Sequence, residues 1–294
     1  MNAMVSTFPP APSPWQRLSH RFSVGAHAVG QGLANLTTDL AVLSRHWHEG
    51  AILRQKHLAK FQMIVRADEE VGRAIYYGGT HEAFETAFFE SRILANSTCF
   101  DIGANIGYFS LLFASLASQG AVHSFEPVPL NFHVLCTNRL LNDFANLVVN
   151  ACALGDWNGK VPFVVSRDSA FSSLMDTGMK PVATEISVPM ITLDSYCEKN
   201  GIDTIDVLKA DVEGAESKVI AGAARLLGDR SRRPHTVMLE MYEPMLARYG
   251  TSIDELLYKM HQYGYRPHVL VNERLVSFQR EHYNQLYNVI FLDA

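Results

Sequence analysis

From residue 97 onward, short apolar runs alternate with amphipathic segments, and this alternation constrains the fold more than any other feature. It predicts strands at Thr98–Asp101, Ala121–Glu126, Leu147–Asn150, Asp206–Asp211, Thr236–Met241, Pro267–Val271 and Asn288–Leu292. Helical spacing falls between them, at Tyr108–Ala117, Asn131–Leu141, Leu193–Lys199, Ala215–Leu227 and Ser252–Tyr263. Strands separated by helices of this length pair in parallel through right-handed crossovers, which gives a doubly wound α/β sheet covered on both faces. Val161–Val165 and Ile186–Met190 break the rhythm. They flank a polar loop and are expected to add a β-hairpin.

In an open α/β sheet, ligands bind beyond the carboxyl ends of the strands. Those ends carry Asp101, Glu126, Asn150, Asp211 and Glu240. Charge is unevenly divided: residues 67–294 hold 18 Lys/Arg and 28 Asp/Glu (-10), whereas residues 1–66 hold seven and two (+5). The net charge of -5 disfavours a nucleic-acid partner. The four cysteines are far apart, with no C-x-x-C pair, which argues against a disulfide scaffold or a cysteine zinc site.

The charge step divides the chain into a Pro-rich lead-in (1–15), a basic helical extension (16–66) and a catalytic domain (67–294). Within the extension, Leu33, Leu36, Leu40, Leu43 and Trp47 share a helical stripe. Packing on the main domain is the first reading of that stripe; a homodimer contact or a membrane-surface helix are the alternatives. No secretory signal or transmembrane span is recognised, so a cytoplasmic location is expected.

The first strand runs into Gly103-Ala104-Asn105-Ile106-Gly107, a glycine turn opening a helix whose free N–H groups face a ligand. Asp101, immediately inside the turn, would repel a diphosphate. Glu126, which closes the second strand, can accept both hydroxyls of a ribose. Acid, glycine turn and second acid suit S-adenosylmethionine, whose ammonium and sulfonium are cationic.

These segments resemble the FkbM family of S-adenosylmethionine-dependent methyltransferases. The resemblance lies in Phe100–Ser110 (FDIGANIGYFS), Phe125–Asn131 (FEPVPLN), Asn138–Asn142 (NRLLN), Asn150–Gly159 (NACALGDWNG), Ile191–Asp194 (ITLD) and Val207–Glu216 (VLKADVEGAE), with Gly222 and Glu240 beyond. It covers residues 67–294 and implies a seven-stranded Rossmann-like sheet with its last strand antiparallel. It also implies methyl transfer to a hydroxyl of a sugar, glycan or polyketide-like acceptor. On the same resemblance, Asp101, Gly103, Asn105 and Gly107 hold the methionine part and Glu126 the ribose. Ala153, Leu154 and Asp156 lie near the adenine, and Asn131 helps to close the pocket.

A neutral hydroxyl needs a base within hydrogen-bond reach. Asp211 is the expected base or acceptor-orienting group, supported by Glu213 and Glu240, and strand alternation puts Lys209 on the same face as Asp211. Crowding of these carboxylates should raise at least one pKa. Helix-dipole stabilisation is the plainer reading of Glu213 and Glu216. A divalent metal on Asp211, Glu213 and Glu240 is disfavoured, because the Asp-Asn pair shared by metal-dependent catechol-type enzymes is missing from the fifth strand. His81 with Glu82 either covers the acceptor side or caps a helix, and Arg167–Glu185 is either an acceptor-selecting lid or a hairpin tip. The rival functions are a nicotinamide-dependent oxidoreductase, disfavoured by Asp101 and the lack of G-x-G-x-x-G, and a non-catalytic binding protein on the same fold.

Overall fold

The computed structural model describes residues 53–283, 285 and 287–293. The Pro-rich lead-in and the Leu33–Trp47 stripe lie outside the described residues. Strands in chain order are β1 (Leu53–His57), β2 (Gln62–Arg66), β3 (Thr98–Ile102), β4 (Ala121–Phe125), β5 (Leu147–Asn150), β6 (Ala153–Leu154) and β7 (Gly159–Ser166). They continue with β8 (Val182–Ile191), β9 (Val207–Ala210), β10 (Thr236–Met241), β11 (Tyr265–Val271), β12 (Arg274–Ser277) and β13 (Tyr287–Asp293). Helices are α1 (Glu70–Arg73), α2 (Ala83–Arg92), α3 (Tyr108–Leu116), α4 (Pro129–Leu141) and α5 (Leu193–Asn200), then α6 (Glu216–Ala221), α7 (Ala224–Gly228), α8 (Glu243–Arg248) and α9 (Ile253–Gln262).

The main sheet has the order β12-β11-β13-β10-β9-β3-β4-β5. Five neighbours from β5 to β10 run parallel, and β13 is inserted antiparallel between β10 and β11. All seven expected strands are therefore present, with the last reversed. The eighth strand, β12, was not expected. It follows a two-residue turn in which Asn272 and Glu273 both have positive φ (49° and 64°), the backbone a tight hairpin requires.

Alternate residues of each central strand enter opposite cores. Phe100, Leu208, Leu239 and Phe291 join one apolar layer, and Cys99, Val207, Met238 and Ile290 join the other. Period-two alternation with both faces apolar is what a helix-covered sheet demands. His123 follows this pattern as a core residue, stacked on Phe100 and bonded to the Tyr196 hydroxyl at 2.8 Å.

Three local structures differ from the expectation. Residues 53–66, assigned above to the helical extension, form the β1–β2 antiparallel hairpin, and its Met63 and Val65 are fully buried. Asn138 on α4 clasps that hairpin: its Oδ1 accepts the Ile64 N–H (2.6 Å) and its Nδ2 donates to the Ile64 carbonyl (2.9 Å). The expected helix 215–227 is split into α6 and α7. Gly222 sits against the Gly155 carbonyl, where a Cβ would fall 1.9 Å away, and Asp194 carboxylate oxygens accept the N–H groups of Arg225 and Leu226 as a new helix start. The predicted hairpin is longer than expected, and β8 bridges β7 and β6 in a separate three-stranded sheet.

Among the described residues, no helix is long and apolar enough to cross a membrane.

Candidate active site

A cleft opens at the carboxyl ends of β3, β4 and β9, with about 530 Å³ of empty space when the open mouth is counted. Gly103, Asn105, Glu126, Ala153, Leu154, Asp211 and Glu213 all contribute to its wall. The glycine turn is shaped by the protein's own backbone. Gly103 has φ +78°, and a Cβ there would lie 1.8 Å from the Asp211 carbonyl oxygen. Gly103 and Ala104 both donate to the Phe125 carbonyl at 3.0 Å, which bends the loop over β4. Gly107 (φ +95°) meets Leu135 of α4 and buttresses the helix start from outside the lining.

Glu126 closes this loop. Its two carboxylate oxygens accept the N–H groups of Asn105 and Val128, each at 2.8 Å. Burial pushes its pKa up to about 7 against those two hydrogen bonds. Asn131, 1% exposed, supports Glu126 from α4. Asn105 turns its side chain inward to accept the Ile106 N–H (2.7 Å).

Four expected cofactor residues lie outside the cleft wall: Gly107 and Asn131, just described, and Asp101 and Asp156. Asp101 is buried beneath the turn, accepting a 2.5 Å hydrogen bond from Ser110, with its other oxygen unpartnered. Asp156 is exposed and paired with Lys218 at 3.1 Å.

At the other end of the cleft, Asp211 and Glu213 line the wall and Glu240 joins them from the end of β10, with one carboxylate oxygen of each within 4.8 Å of the others. The Lys209 ammonium lies 3.0 Å from Asp211 and 4.9 Å from the centroid of the Phe109 ring. Burial opposes the charge on Lys209, but Asp211, Glu82 and Asp101 outweigh it and hold its pKa high. Burial, then the neighbouring Asp211 and Glu216, pushes Glu213 up to about 9. Glu240 is likewise raised well above the usual carboxylate range, by burial first and by Asp211 and Glu213 next. The trio's spacing could admit a divalent cation, but the ammonium of Lys209 already balances part of its charge.

Three further contributors surround the cleft, of which Glu82 was expected, with His81, to cover the acceptor side or to cap a helix. Glu216 is fully buried and holds the 212–214 loop, accepting the Val212 N–H at 3.1 Å and the Gly214 N–H at 3.4 Å. Glu82 starts α2 in the left-handed region (φ 46°), and burial raises it to about 7 beside Lys209 and Asp211. Backbone strain of this kind gathers at functional sites. Ser169–Leu174, part of the expected lid, instead forms cleft wall next to Glu126, and the Ser173 hydroxyl ties it to the Val212 carbonyl (2.7 Å).

A doubly wound sheet with one reversed strand, and a glycine turn locked to an acid on the next strand, defines the Rossmann-like methyltransferase fold. Residues 101–267 match the methyltransferase FkbM domain, and the chain belongs to that family. It is 32% identical over 157 residues to the 31-O-demethyl-FK506 methyltransferase FkbM of Streptomyces tacrolimicus, covering 42% of this chain and 58% of that protein. The 2-O-methyltransferase NoeI of Sinorhizobium fredii is 29% identical over 141 residues, covering 43% of this chain and 57% of its own length. The match thus spans somewhat over half of each relative. Precorrin-6y C5,15-methyltransferase of Geobacter metallireducens is a remote structural neighbour, with a TM-score of 0.43, 12% identity and coverage of 81% of this chain and 100% of that one. The fold assignment stands on the strand order itself.

Proposed function

We propose that this chain is an S-adenosylmethionine-dependent O-methyltransferase acting on a hydroxyl of a small-molecule or glycan acceptor. The observation that carries the reading is the division of one cleft between two kinds of acid. Glu126 and the Gly103–Asn105 loop form one end, which suits the nucleoside, and Asp211 and Glu213, with Glu240 beside them, form the other, which suits the reacting groups. The residues present fit the cofactor: the cleft wall carries the carboxyls of Glu126, Asp211 and Glu213 and no Lys or Arg, so it offers acceptors to a ribose and an ammonium and nothing to hold a diphosphate. S-adenosylmethionine, when bound, supplies an electrophilic methyl group on a cationic sulfonium.

The chain's own contribution is positioning and proton transfer. Glu126 receives the ribose diol on the lone pairs its two backbone bonds leave free. Ala153 and Leu154 provide an apolar wall for the adenine, and the Gly103–Asn105 backbone faces the methionine part. Asp211 keeps Oδ2 on Lys209 and takes the acceptor's proton at Oδ1. Glu213 and Glu240, held toward their neutral forms, can donate hydrogen bonds that orient the acceptor. The O-methyl names of the two relatives agree with this chemistry.

Thermal-shift titration tests the reading directly. S-adenosylhomocysteine should raise the unfolding temperature and NADH should not; the reverse result would install the oxidoreductase alternative. Labelled-methyl transfer to hydroxylated acceptors then separates an enzyme from a binding protein.

A further inference from the structure

The loop that carries Asp211 and Glu213 has an uncommon backbone shape. Glu213 (φ 57°) and Gly214 (φ 99°) are consecutive left-handed residues. A non-glycine residue keeps that conformation only where its surroundings hold it. Glu216 holds the loop from within, through the Val212 and Gly214 N–H groups. Two other segments hold it from outside. The Val212 carbonyl accepts the Ser173 hydroxyl at 2.7 Å. A Cβ on Gly214 would fall 3.0 Å from Cε2 of Tyr249, so that ring lies directly against the loop.

Ser173 is itself anchored to β7. Its N–H donates to the Val164 carbonyl (3.1 Å), and its carbonyl accepts the Val164 N–H (2.8 Å). Its hydroxyl therefore links the three-stranded sheet to the loop after β9. The direction of the hydrogen bonds follows from the partners. Ser173 Oγ meets the Val212 carbonyl (2.7 Å), the Glu213 carbonyl (3.3 Å) and the Tyr249 hydroxyl (2.7 Å). The carbonyls can only accept, so the serine proton goes to Val212 and Tyr249 donates to Ser173. The Tyr249 oxygen in turn accepts the Met175 N–H at 3.0 Å. Met175, Tyr249, Ser173 and Val212 thus form one directed chain in which every proton has an acceptor.

The end of α8 supports the same contact. Arg248 donates from Nη1 to the Asp176 carbonyl at 2.7 Å. The start of α8 is fixed in its turn, because Glu243 Oε2 accepts the Ile253 N–H at 2.8 Å. Ser173, Val212 and Glu213 line the cleft, whereas Tyr249 lies outside its wall. We propose that Tyr249 is a positioning residue for the candidate active site. It clamps residues 173–175 onto the 212–214 loop and so keeps the wall from Ser173 to Glu213 in one shape.

The functional part of this inference rests on reading the cleft as the S-adenosylmethionine site, and two measurements on the full chain keep the parts distinct. The first is amide hydrogen exchange without ligand. Tyr249→Phe keeps the ring on Gly214 and removes the hydroxyl, so exchange should quicken roughly three- to tenfold at both 173–175 and 212–214. A change confined to Met175, or none, overturns the clamp. The second is calorimetric titration with S-adenosylhomocysteine. Tyr249→Phe should weaken binding roughly three- to tenfold, and Ser173→Ala at least as much. The double variant should lie within about twofold of Ser173→Ala, because both changes break one chain. Tyr265→Phe is the control. It removes another tyrosine hydrogen bond, to the Pro234 carbonyl at 2.6 Å, from a residue outside the cleft wall. Its affinity should stay within about twofold of the parent. Unchanged affinity in Tyr249→Phe, additive losses in the double variant, or an equal loss in Tyr265→Phe overturns the positioning role. A parent chain that binds no S-adenosylhomocysteine overturns the cofactor reading, and hydrogen exchange alone then decides the clamp.

Discussion

The Lys209 ammonium and the Asp211 carboxylate lie 3.0 Å apart, two residues along one strand end and on the same side of it. This pair is the charged centre of the reacting end. Lys209 has a side chain only 3% exposed and faces Asp101 and Glu82 as well as Asp211. Lys209→Met should therefore lower stability by about 3–5 kcal/mol, because it leaves buried carboxylates without their cation. Urea unfolding of the two proteins measures the loss, and a change below about 1 kcal/mol would mean the pair is solvated.

Asp211→Asn removes the proposed base while preserving shape and the contact with Lys209. Cofactor affinity should stay within a few-fold, and turnover should fall by about 10²–10⁴. Single-turnover methyl transfer with a hydroxyl acceptor measures both quantities. Full activity would transfer the role to Glu213 or Glu240.

Glu126 gives the ligand-free protein a specific pH dependence. The folded carboxyl keeps its proton up to about pH 7, whereas the unfolded one loses it near 4.5. Between these values the folded state binds more protons, so stability falls as pH rises through the window. Glu126→Gln should flatten that part of the slope. Thermal unfolding of both proteins from pH 5 to 8 makes the comparison, and parallel curves would show that Glu126 ionises normally.

Gly103→Ala should destabilise the fold by more than about 2 kcal/mol, since it adds a Cβ in the left-handed region against a backbone oxygen that cannot yield. Chemical unfolding without cofactor is the decisive measurement. A loss of cofactor affinity with unchanged stability would make Gly103 a ligand-contact glycine instead.

The alternation of apolar strands and amphipathic helices made the central sheet legible, because both faces of β3, β9 and β10 must be apolar to be covered by helices. The position of Glu126 and Asp211 on the cleft wall was legible for a related reason: strand ends in such a sheet surround the cleft. The place of Asp156 off the cleft wall was not legible, because sequence shows that it follows the third strand but not that it pairs with Lys218 of a later helix on the exposed side. Ser173 and Tyr249 are 76 residues apart, and nothing in their local sequence signals that they meet. The split between α6 and α7 depends on Asp194 from another helix, so a helical pattern across 215–227 could not reveal it. Residues 53–66 lack a hairpin turn signature, and the Asn138–Asn142 pair that receives them lies about 75 to 80 positions downstream.

That clasp has a practical consequence for shortened versions of this protein. A fragment starting at residue 67, where the charge balance changes, or at 101, where the family match begins, would uncover a stripe of the α3–α4 layer. It would also leave the Asn138 amide without its β-strand partner. Such fragments should be prone to aggregate, whereas one beginning at Leu53 retains the strand that seals that flank. A fragment that keeps the β1–β2 hairpin on Asn138 must therefore extend well before the 101–267 family match.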